Sequence, residues 1–303
     1  MLTLVVIRSL SDTCADDLPS KRVDAEKIKH LSTQQCEQLL QLLDEFAVCF
    51  VDKPGLCDVV EHHIVTIPQF VPKLMRPYRV PELLKLDRQI NELLDLGLIQ
   101  PSNSPMASPI VYVAKKQGGV RIACDFRYVN SFTIGDAFPM PTANETLHKI
   151  GAAKFISTFD AKLGYWQIPL AKEDRCLTAF VTHDGLYKWV RMPFGLKNAG
   201  ATFIRAVRMV LQPMRDFFES YVDDVGVGSP CWSDHLSHLR QFLSVICNNG
   251  MTLNLAKCNF AQPEVKFVWH FIGSGTCKPD PQRLEGINDC RSLSPRSAIP
   301  KGK

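Results

Sequence analysis

The sequence predicts an α+β fold whose sheet is mainly antiparallel. Segments of strand length, apolar or alternating in polarity, recur between residues 110 and 273. Several of them are separated by only a few residues, as the two strands of a hairpin are. Amphipathic segments of helical length lie among them in irregular order, and no internal repeat is visible. Irregular alternation with several hairpins is typical of an α+β fold.

Length and composition limit the class of protein. The chain has 303 residues, of which 46% are hydrophobic and 22% charged, as in a soluble globular protein of one large domain or two ordinary ones. No apolar run reaches the about 18 residues that a membrane span needs, and Met1–Leu10 is too short and lacks the basic start of a signal peptide. The 11 cysteines include no CxxC pair, which favours reduced thiols in an intracellular protein. The net charge of +4 permits nucleic-acid binding but does not alone predict it.

Four segments have the apolar spacing of amphipathic helices. The first covers residues 33–46, with Ser32 as its N-cap, and the second covers residues 82–96. Gly97 follows the second segment, at a position where glycine commonly ends a helix. The other two segments cover residues 198–210 and 234–249.

The remaining segments predict strands and irregular connections. A hairpin with Gly118-Gly119 at its tip is predicted after residue 110. Residues 98–109 contain three prolines and three serines, which predicts irregular structure. Further strands are predicted at 154–160, 186–192 and 264–273, and a strand, turn and strand at 217–229.

The segment SYVDDVGVGS, residues 220–229, places Asp223 and Asp224 side by side in a predicted strand. Adjacent side chains diverge in a regular strand, but at the tip of a tight hairpin both can reach one region. Asp160 ends another predicted strand, so Asp160 and Asp223 would flank one site, with Asp224 at its edge, if the two strands are neighbours. A hard divalent cation such as Mg²⁺ is the usual partner of such carboxylates. From these residues alone, an ordinary Asp-Asp turn remains the simpler alternative.

The wider sequence carries a resemblance. The motifs are LIQPSNSPMASPIVYVAKK, RIACDFRYVN, FISTFDAKLGYWQIPL, RMPFGLKNAGATF, YVDD and LNLAKCNFAQPEVKFV. In order and rough spacing they resemble the reverse transcriptases of gypsy-type long-terminal-repeat retrotransposon Pol polyproteins, over about residues 32–287. The resemblance identifies the chain as a fragment of such a polyprotein.

The resemblance implies a right-hand polymerase fold of fingers and palm, with a ferredoxin-like palm and a thumb that is truncated or absent. It divides the chain into a flexible N-terminal linker (1–31), a helical lead-in to the fingers (32–98), the fingers and palm (99–287) and a disordered tail (288–303).

The resemblance also implies an RNA-directed DNA polymerase, a nucleotidyltransferase that adds deoxynucleotides to a primer. Two Mg²⁺ ions, for which Mn²⁺ can substitute, would be held by Asp160, Asp223 and Asp224, with the carbonyl of Ala161 as a further ligand. Lys257 would protonate the leaving pyrophosphate.

Four further residues match nucleotide-binding positions of the family. Tyr165 matches the steric gate that rejects a 2′-hydroxyl, and Phe194 matches a residue that packs behind the incoming nucleotide. Lys116 and Arg121 match basic residues that hold the triphosphate. The alternatives are a core-packing role for Tyr165 and solvated surface charges for Lys116 and Arg121.

The implied partners are an RNA or DNA template with its primer duplex and deoxynucleoside triphosphates, with no membrane. Protease, RNase H and integrase regions are expected in the parent polyprotein. The implied location is intracellular, either in the cytoplasmic virus-like particle of a retroelement or in the nucleus.

Two departures from the family pattern leave alternatives open. Trp269 in FVWH stands where the family has glycine in the turn that grips the primer terminus, and Gly200 replaces a usual proline. The change at Gly200 should cost little, but Trp269 and the missing thumb favour a catalytically inactive remnant that at most binds nucleic acid as the alternative. A metal nuclease would not account for MPFGLKNAGATF. His235 and His238 are predicted on the polar face of their helix, where they do not complete a zinc site with Cys231.

Overall fold

The structure is a computed structural model. It describes residues 17–74, 83–114, 120–139, 150, 152–214, 216–221, 224–267, 269–273 and 275–279. The helices in these ranges are α1 (Pro19–Arg22), α2 (Thr33–Glu45), α3 (Leu83–Asp95), α4 (Arg127–Phe132), α5 (Ala199–Leu211) and α6 (Trp232–Asn248). The strands are β1 (Ile99–Pro101), β2 (Ile110–Ala114), β3 (Val120–Cys124), β4 (Phe155–Asp160), β5 (Phe180–Val181), β6 (Leu186–Trp189), β7 (Phe218–Tyr221), β8 (Asp224–Ser229), β9 (Asn259–Gln262), β10 (Glu264–Phe267), β11 (His270–Gly273) and β12 (Thr276–Pro279).

Every pairing between these strands is antiparallel, which confirms the predicted sheet type. The central sheet has the order β7-β8-β4-β9. Three smaller sheets have the orders β1-β6-β5, β2-β3 and β10-β11-β12. The pairs β2–β3, β7–β8 and β10–β11 are hairpins, so many of the strand pairings form between segments that are close in sequence.

The two faces of the central sheet contact different cores. Phe159 on β4 and Val227 on β8 belong to a large core that also contains the buried faces of α2, α5 and α6. The opposite face contacts a smaller cluster of Ile150, Ala153, Ile156, Val265, Phe267 and Ile272, against which Tyr221 packs. Alternation of side chains along β4 and β8 produces this division.

All four predicted helices are confirmed, as α2, α3, α5 and α6, and the two predicted end signals are observed. Ser32 caps α2 and forms a capping box with Gln35, as its side chain accepts a bond from the Gln35 amide and the Gln35 side chain accepts one from Ser32. Gly97 follows α3 with a φ of 65°, the left-handed conformation that glycine adopts at little cost.

Two predicted segments differ from the structure. Residues 98–109, predicted as irregular, include the short strand β1, whose residues pair with β6. Residues 264–273, predicted as one strand, form the hairpin β10–β11, in which Phe267 pairs with His270. The connection lacks glycine, asparagine and proline, so it carries no turn signal.

The N-terminal region also differs from the predicted linker. Residues 1–16 and the predicted tail at 288–303 lie outside the described residues. Residues 17–31 include α1 and a 3₁₀ turn at Ala25–Lys27, and they pack on the palm through long-range bonds. Lys27 Nζ donates to the carbonyls of Ala256 at 2.6 Å and Cys258 at 2.9 Å. Such contacts have no local sequence signal, which explains the wrong prediction.

None of the helices in the described ranges has both the length and the apolar character required to cross a membrane.

Candidate active site

The last residue of β4 and the first residue of β8 are both aspartates, and they are directly paired. The register places Asp160 opposite Asp224. Directly opposed residues share one face of a sheet, with Cβ atoms about 5 Å apart. Asp224 is exposed, and the Asp160 side chain is 22% exposed. Two like charges in this position repel each other, and a nearby cation relieves the repulsion.

Lys257 supplies one such positive charge. It ends the 3₁₀ turn Leu255–Lys257, which precedes β9 at the other side of β4. Its Nζ lies 3.2 Å from Oδ1 and 3.0 Å from Oδ2 of Asp160. The lysine side chain is 63% exposed, so the ammonium can leave the carboxylate at small cost.

The backbone beside Asp160 is held on the side away from β8. The Asn254 amide donates to the Asp160 carbonyl at 2.9 Å, and the Lys162 amide donates to the Thr252 carbonyl at 2.9 Å. These two bonds enclose the bridge between Ala161 and Leu253. Backbone groups alternate in direction along a strand, so the carbonyl of Ala161 points away from Leu253 and toward the β8 side.

Tyr165, five residues after Asp160, forms an aromatic pair with Phe194. Leu163 has a φ of 52°, and this left-handed residue turns the chain into the 3₁₀ segment Gly164–Gln167 that carries Tyr165. The rings of Tyr165 and Phe194 stack with centroids 5.0 Å apart and an interplanar angle of 26°. Phe203 on α5 supports Tyr165 from a centroid distance of 5.5 Å. Phe194 is 37% exposed, so the pair presents aromatic surface to solvent.

The remaining predicted residues are only partly covered. Asp223 and Lys116 lie outside the described residues. Arg121 lies on β3, where its backbone pairs with Val113.

His235 is not on the polar face of its helix, contrary to the prediction. It is completely buried, with Nε2 2.8 Å from Ser157 Oγ and Nδ1 2.9 Å from Ser229 Oγ. Burial, reinforced by the nearby His238, lowers the pKa of His235 to about 3. His238 Nδ1 also lies 2.8 Å from Ser229 Oγ. The two serines come from β4 and β8, so sequence around the helix could not indicate that His235 points inward.

Two other groups of possible metal ligands occur among the described residues. They are His63 with Glu173 and Asp174, and His183 with Asp87 and Asp184. Neither includes Asp160 or Asp224, and exposed acidic groups of this kind are common without a metal.

A profile described as "Reverse transcriptase (RNA-dependent DNA polymerase)" matches residues 113–270, just over half of the chain. The chain belongs to the reverse transcriptase family. The match includes β4, β8 and the turn that carries Lys257, so the paired carboxylates lie within the region that defines the family.

Curated relatives agree with the predicted gypsy-type resemblance. The reverse transcriptase chain is 30% identical over 298 residues to the retrovirus-related Pol polyprotein from transposon 297 of Drosophila melanogaster, covering 94% of this chain and 28% of the relative. It is 36% identical over 211 residues to that from transposon gypsy of the same organism, covering 67% of this chain and 20% of the relative. The chain thus spans less than a third of the length of these relatives.

Solved reverse transcriptases confirm the predicted right-hand polymerase fold. The foamy viral protease-reverse transcriptase in complex with RNA/DNA hybrid matches with a TM-score of 0.78 and 26% identity, over 89% of this chain and 37% of that chain. The same viral enzyme in complex with dsDNA matches with a TM-score of 0.80 at 24% identity, over 95% of this chain and 59% of that chain.

Some residues around the site were not indicated by the sequence. Asn254 and Thr252 hold the backbone next to Asp160, and Leu163 provides the left-handed turn before Tyr165. The hydrogen bonds at Asn254 and Thr252 involve only backbone groups and constrain no side-chain type, so no motif could reveal them. Leu163 is not a glycine, so the sequence carries no signal of its left-handed conformation. The resemblance implied that Lys257 protonates the leaving pyrophosphate, but it did not predict the ion pair between Lys257 and Asp160.

Proposed function

We propose that this chain is the RNA-directed DNA polymerase domain of a retroelement Pol polyprotein, with a catalytic centre at Asp160, Asp223 and Asp224. The observation that carries the proposal is the direct pairing of Asp160 with Asp224 at one end of the central sheet. It places two hard oxygen donors on one face, as a divalent cation requires. The family match and the nucleic acids bound to the foamy viral enzymes support the same function.

The donor set fits the two Mg²⁺ ions expected of the family. Asp160, Asp223 and Asp224 would hold them, and the carbonyl of Ala161, which points toward β8, would add a neutral oxygen. Bound ions would lower the pKa of a primer 3′-hydroxyl and neutralise the leaving pyrophosphate. The residues of the chain hold and orient the reacting groups.

Lys257 has two connected roles in this proposal. In the structure its ammonium partly neutralises Asp160. With Asp160 engaged by a metal ion, the released ammonium would serve as the proton donor to the pyrophosphate. Lys257→Gln should therefore slow extension yet lower the Mg²⁺ concentration needed for half-maximal rate, because no ammonium competes for Asp160. An unchanged Mg²⁺ requirement would contradict the competition.

Tyr165 is the proposed steric gate, and Phe194 packs behind the incoming nucleotide. The stacking of the two rings fixes the tyrosine in place. Tyr165→Ala should increase ribonucleotide incorporation relative to deoxynucleotide incorporation, because the space beneath the sugar opens. Tyr187 lies on β6, and Tyr187→Ala is the control for the loss of a tyrosine ring elsewhere in the protein. If Tyr165→Ala left the preference for deoxynucleotides unchanged, the steric gate would lie at another residue.

The backbone at Trp269 supports an active domain over an inactive remnant. Trp269 has a φ of 65°, the conformation for which glycine is usually selected. The turn therefore keeps the backbone conformation of a glycine although the residue is tryptophan. Only the indole side chain then distinguishes this turn from the turn that grips the primer in the family.

Primer extension on a homopolymer RNA template tests the proposed activity. We expect deoxynucleotide addition that requires Mg²⁺, stops with EDTA and is lost in Asp160→Asn. Template-primer binding without extension by the unchanged protein would favour the inactive remnant. Nucleic-acid cleavage in place of extension would indicate a nuclease.

A further inference from the structure

One side-chain amide connects two backbone segments next to the candidate site. Gln167 ends the 3₁₀ segment Gly164–Gln167, and it is completely buried. Its Nε2 donates to the carbonyls of Lys162 and Thr252, both at 2.8 Å. Its Oε1 accepts from the Thr252 amide at 2.8 Å. Both polar atoms of the side chain therefore bond to backbone groups, and such a buried amide is costly to replace.

The bond to Lys162 closes a short loop that carries a candidate functional group. Gln167 lies five residues after Lys162, and Tyr165 lies between them. Ala161, whose carbonyl points toward β8, directly precedes the loop. The proposed steric gate and the proposed backbone ligand of the metal thus lie on one segment, whose ends the Gln167 amide holds together.

The bonds to Thr252 fix the same loop to the palm. Thr252 directly precedes Leu253, which bridges Ala161. The carbonyl of Thr252 also accepts a bond from the Lys162 amide at 2.9 Å. Without the Gln167 side chain, the contact between the loop and Thr252 would keep that bond and lose two others.

The loop also contains a residue in an unfavourable backbone conformation. Leu163 has a φ of 52°, in the left-handed region that is costly for a residue with a Cβ atom. Its side chain is 36% exposed, so it adds little packing to offset that cost. The hydrogen bonds of Gln167 therefore contribute much of the restraint on this turn.

We propose that Gln167 is a positioning residue of the polymerase, whose side-chain amide fixes the sugar gate at Tyr165 relative to the metal-binding end of β4. The assignment rests on the proposed function, since it requires the roles given above to Tyr165 and Ala161. The buried side chain of Gln167 does not itself contact substrate, and it acts through the loop that it closes.

Replacement of the amide should change sugar selection and metal requirement together. Gln167→Met keeps the length of the side chain, but it removes the bonds to the Lys162 carbonyl and the Thr252 amide. A misplacement of about 1 Å can cost on the order of a hundredfold in rate. We expect the preference for deoxynucleotides over ribonucleotides to fall by about tenfold or more, and the Mg²⁺ concentration for half-maximal rate to rise by about threefold or more.

Two measurements on the full chain separate positioning from a general loss of stability. The first is hydrogen exchange of residues 162–168 without metal or nucleic acid, followed by mass spectrometry, which should be faster in Gln167→Met. The second is the ratio of single-nucleotide incorporation rates for the two sugars, over a range of Mg²⁺ concentrations.

Gln262→Met is the matched control. The side-chain amide of Gln262 also donates to two backbone carbonyls, those of Lys27 and Phe260. Gln262 pairs with Ile156, at the other end of β4 from Asp160. This variant should change neither the exchange of residues 162–168 nor the sugar preference.

Gln167→Glu keeps the proposal testable if Gln167→Met does not fold. Burial favours the protonated carboxyl, which can accept one bond and donate one. The fall in sugar preference should therefore be smaller than in Gln167→Met.

The outcomes distinguish this assignment from the proposed function. Faster exchange with an unchanged sugar preference and Mg²⁺ requirement would overturn the assignment of Gln167 alone. Unchanged exchange in Gln167→Met, or equal effects in Gln262→Met, would also overturn it. A failure of the unchanged protein to extend a primer would overturn the proposed function, and this assignment with it.

Discussion

Two hairpins of the palm have connections of the same length but carry different residues at their ends. In β7–β8 the strands pair up to Tyr221 and Asp224, and in β10–β11 up to Phe267 and His270, so each connection has two residues. The first hairpin places the carboxylate of Asp224 at its end, opposite Asp160 on the neighbouring strand β4. The second has a tryptophan at its end, in a strained backbone conformation.

The hairpins also pack against each other at Gly226 of β8, although the closest neighbour of this glycine is Ile150. A Cβ atom at Gly226 would lie 3.5 Å from the Phe267 ring of the second hairpin and 2.5 Å from Ile150 Cδ1. Glycine there allows the covering side chains to approach the sheet. The first hairpin carries a charged residue at its end and glycine along β8, where other side chains pack closely. The second hairpin supplies one of those side chains, Phe267.

The largest expected difference between the hairpins is catalytic. Asp224→Asn keeps the shape of the side chain but removes its charge, and we expect primer extension to fall by about two orders of magnitude or more. Glu264→Gln makes the same chemical change on β10 and should change extension by less than about twofold. The measurement is the single-turnover rate at saturating Mg²⁺, with circular dichroism to verify folding. Similar losses in both variants would remove the distinction between the hairpins.

The second difference concerns acid stability at the base of β8. His235, bonded to Ser229, has a folded pKa of about 3, below its unfolded value of about 6.5. Below about pH 6.5 the unfolded chain therefore binds a proton that the folded chain does not, and stability decreases as pH falls toward 3. At pH 4.5 the protonation of His235 in the unfolded chain lowers the free energy of unfolding by about 2–3 kcal/mol.

Urea unfolding between pH 7 and pH 4.5 measures this loss. His235→Asn, whose amide can bond to both serines but does not titrate, should reduce the pH dependence by about one proton. His62 is a second source, since burial lowers its pKa to about 4, so some dependence should remain. A pH profile that is identical in His235→Asn and the unchanged protein would show that His235 is protonated or exposed in the folded state.

The smallest effect is expected at the tip of the second hairpin. Trp269 in the left-handed region costs about 1 kcal/mol, which Trp269→Gly removes. Trp269→Ala loses the indole but keeps the strain, so glycine should be the more stable of the two variants. Extension in a trapped single-encounter assay should rise in Trp269→Gly, by less than about tenfold, since about 1 kcal/mol corresponds to less than that factor. Lower extension in Trp269→Gly would show that the indole itself contacts the primer.

The sequence predicted those features whose causes are local. Ser32 and Gly97 mark the ends of helices through bonds within a few residues, and both were identified correctly. The α+β class follows from periodicity and hairpin spacing. The β10–β11 turn was missed because Trp269 replaces the residue type that would have signalled it.

The candidate site shows the same limit. The importance of Asp160 and Asp224 was indicated by motifs, but their direct pairing depends on the register of strands that are distant in sequence. The Lys257 contact and the buried position of His235 depend on three-dimensional proximity alone. Motifs predicted a role for these residues, and the sheet register determines which of them meet.

The bonds from Lys27 have a consequence for where this protein can be cut. Its ammonium holds the carbonyls of Ala256 and Cys258, the two neighbours of Lys257. Lys27 lies far upstream of residue 113, where the family match begins. A truncation at that boundary would remove the brace beneath Lys257 and uncover the apolar surface that α2 shields. The smallest piece that can be excised without damage is therefore larger than the piece that sequence comparison delimits.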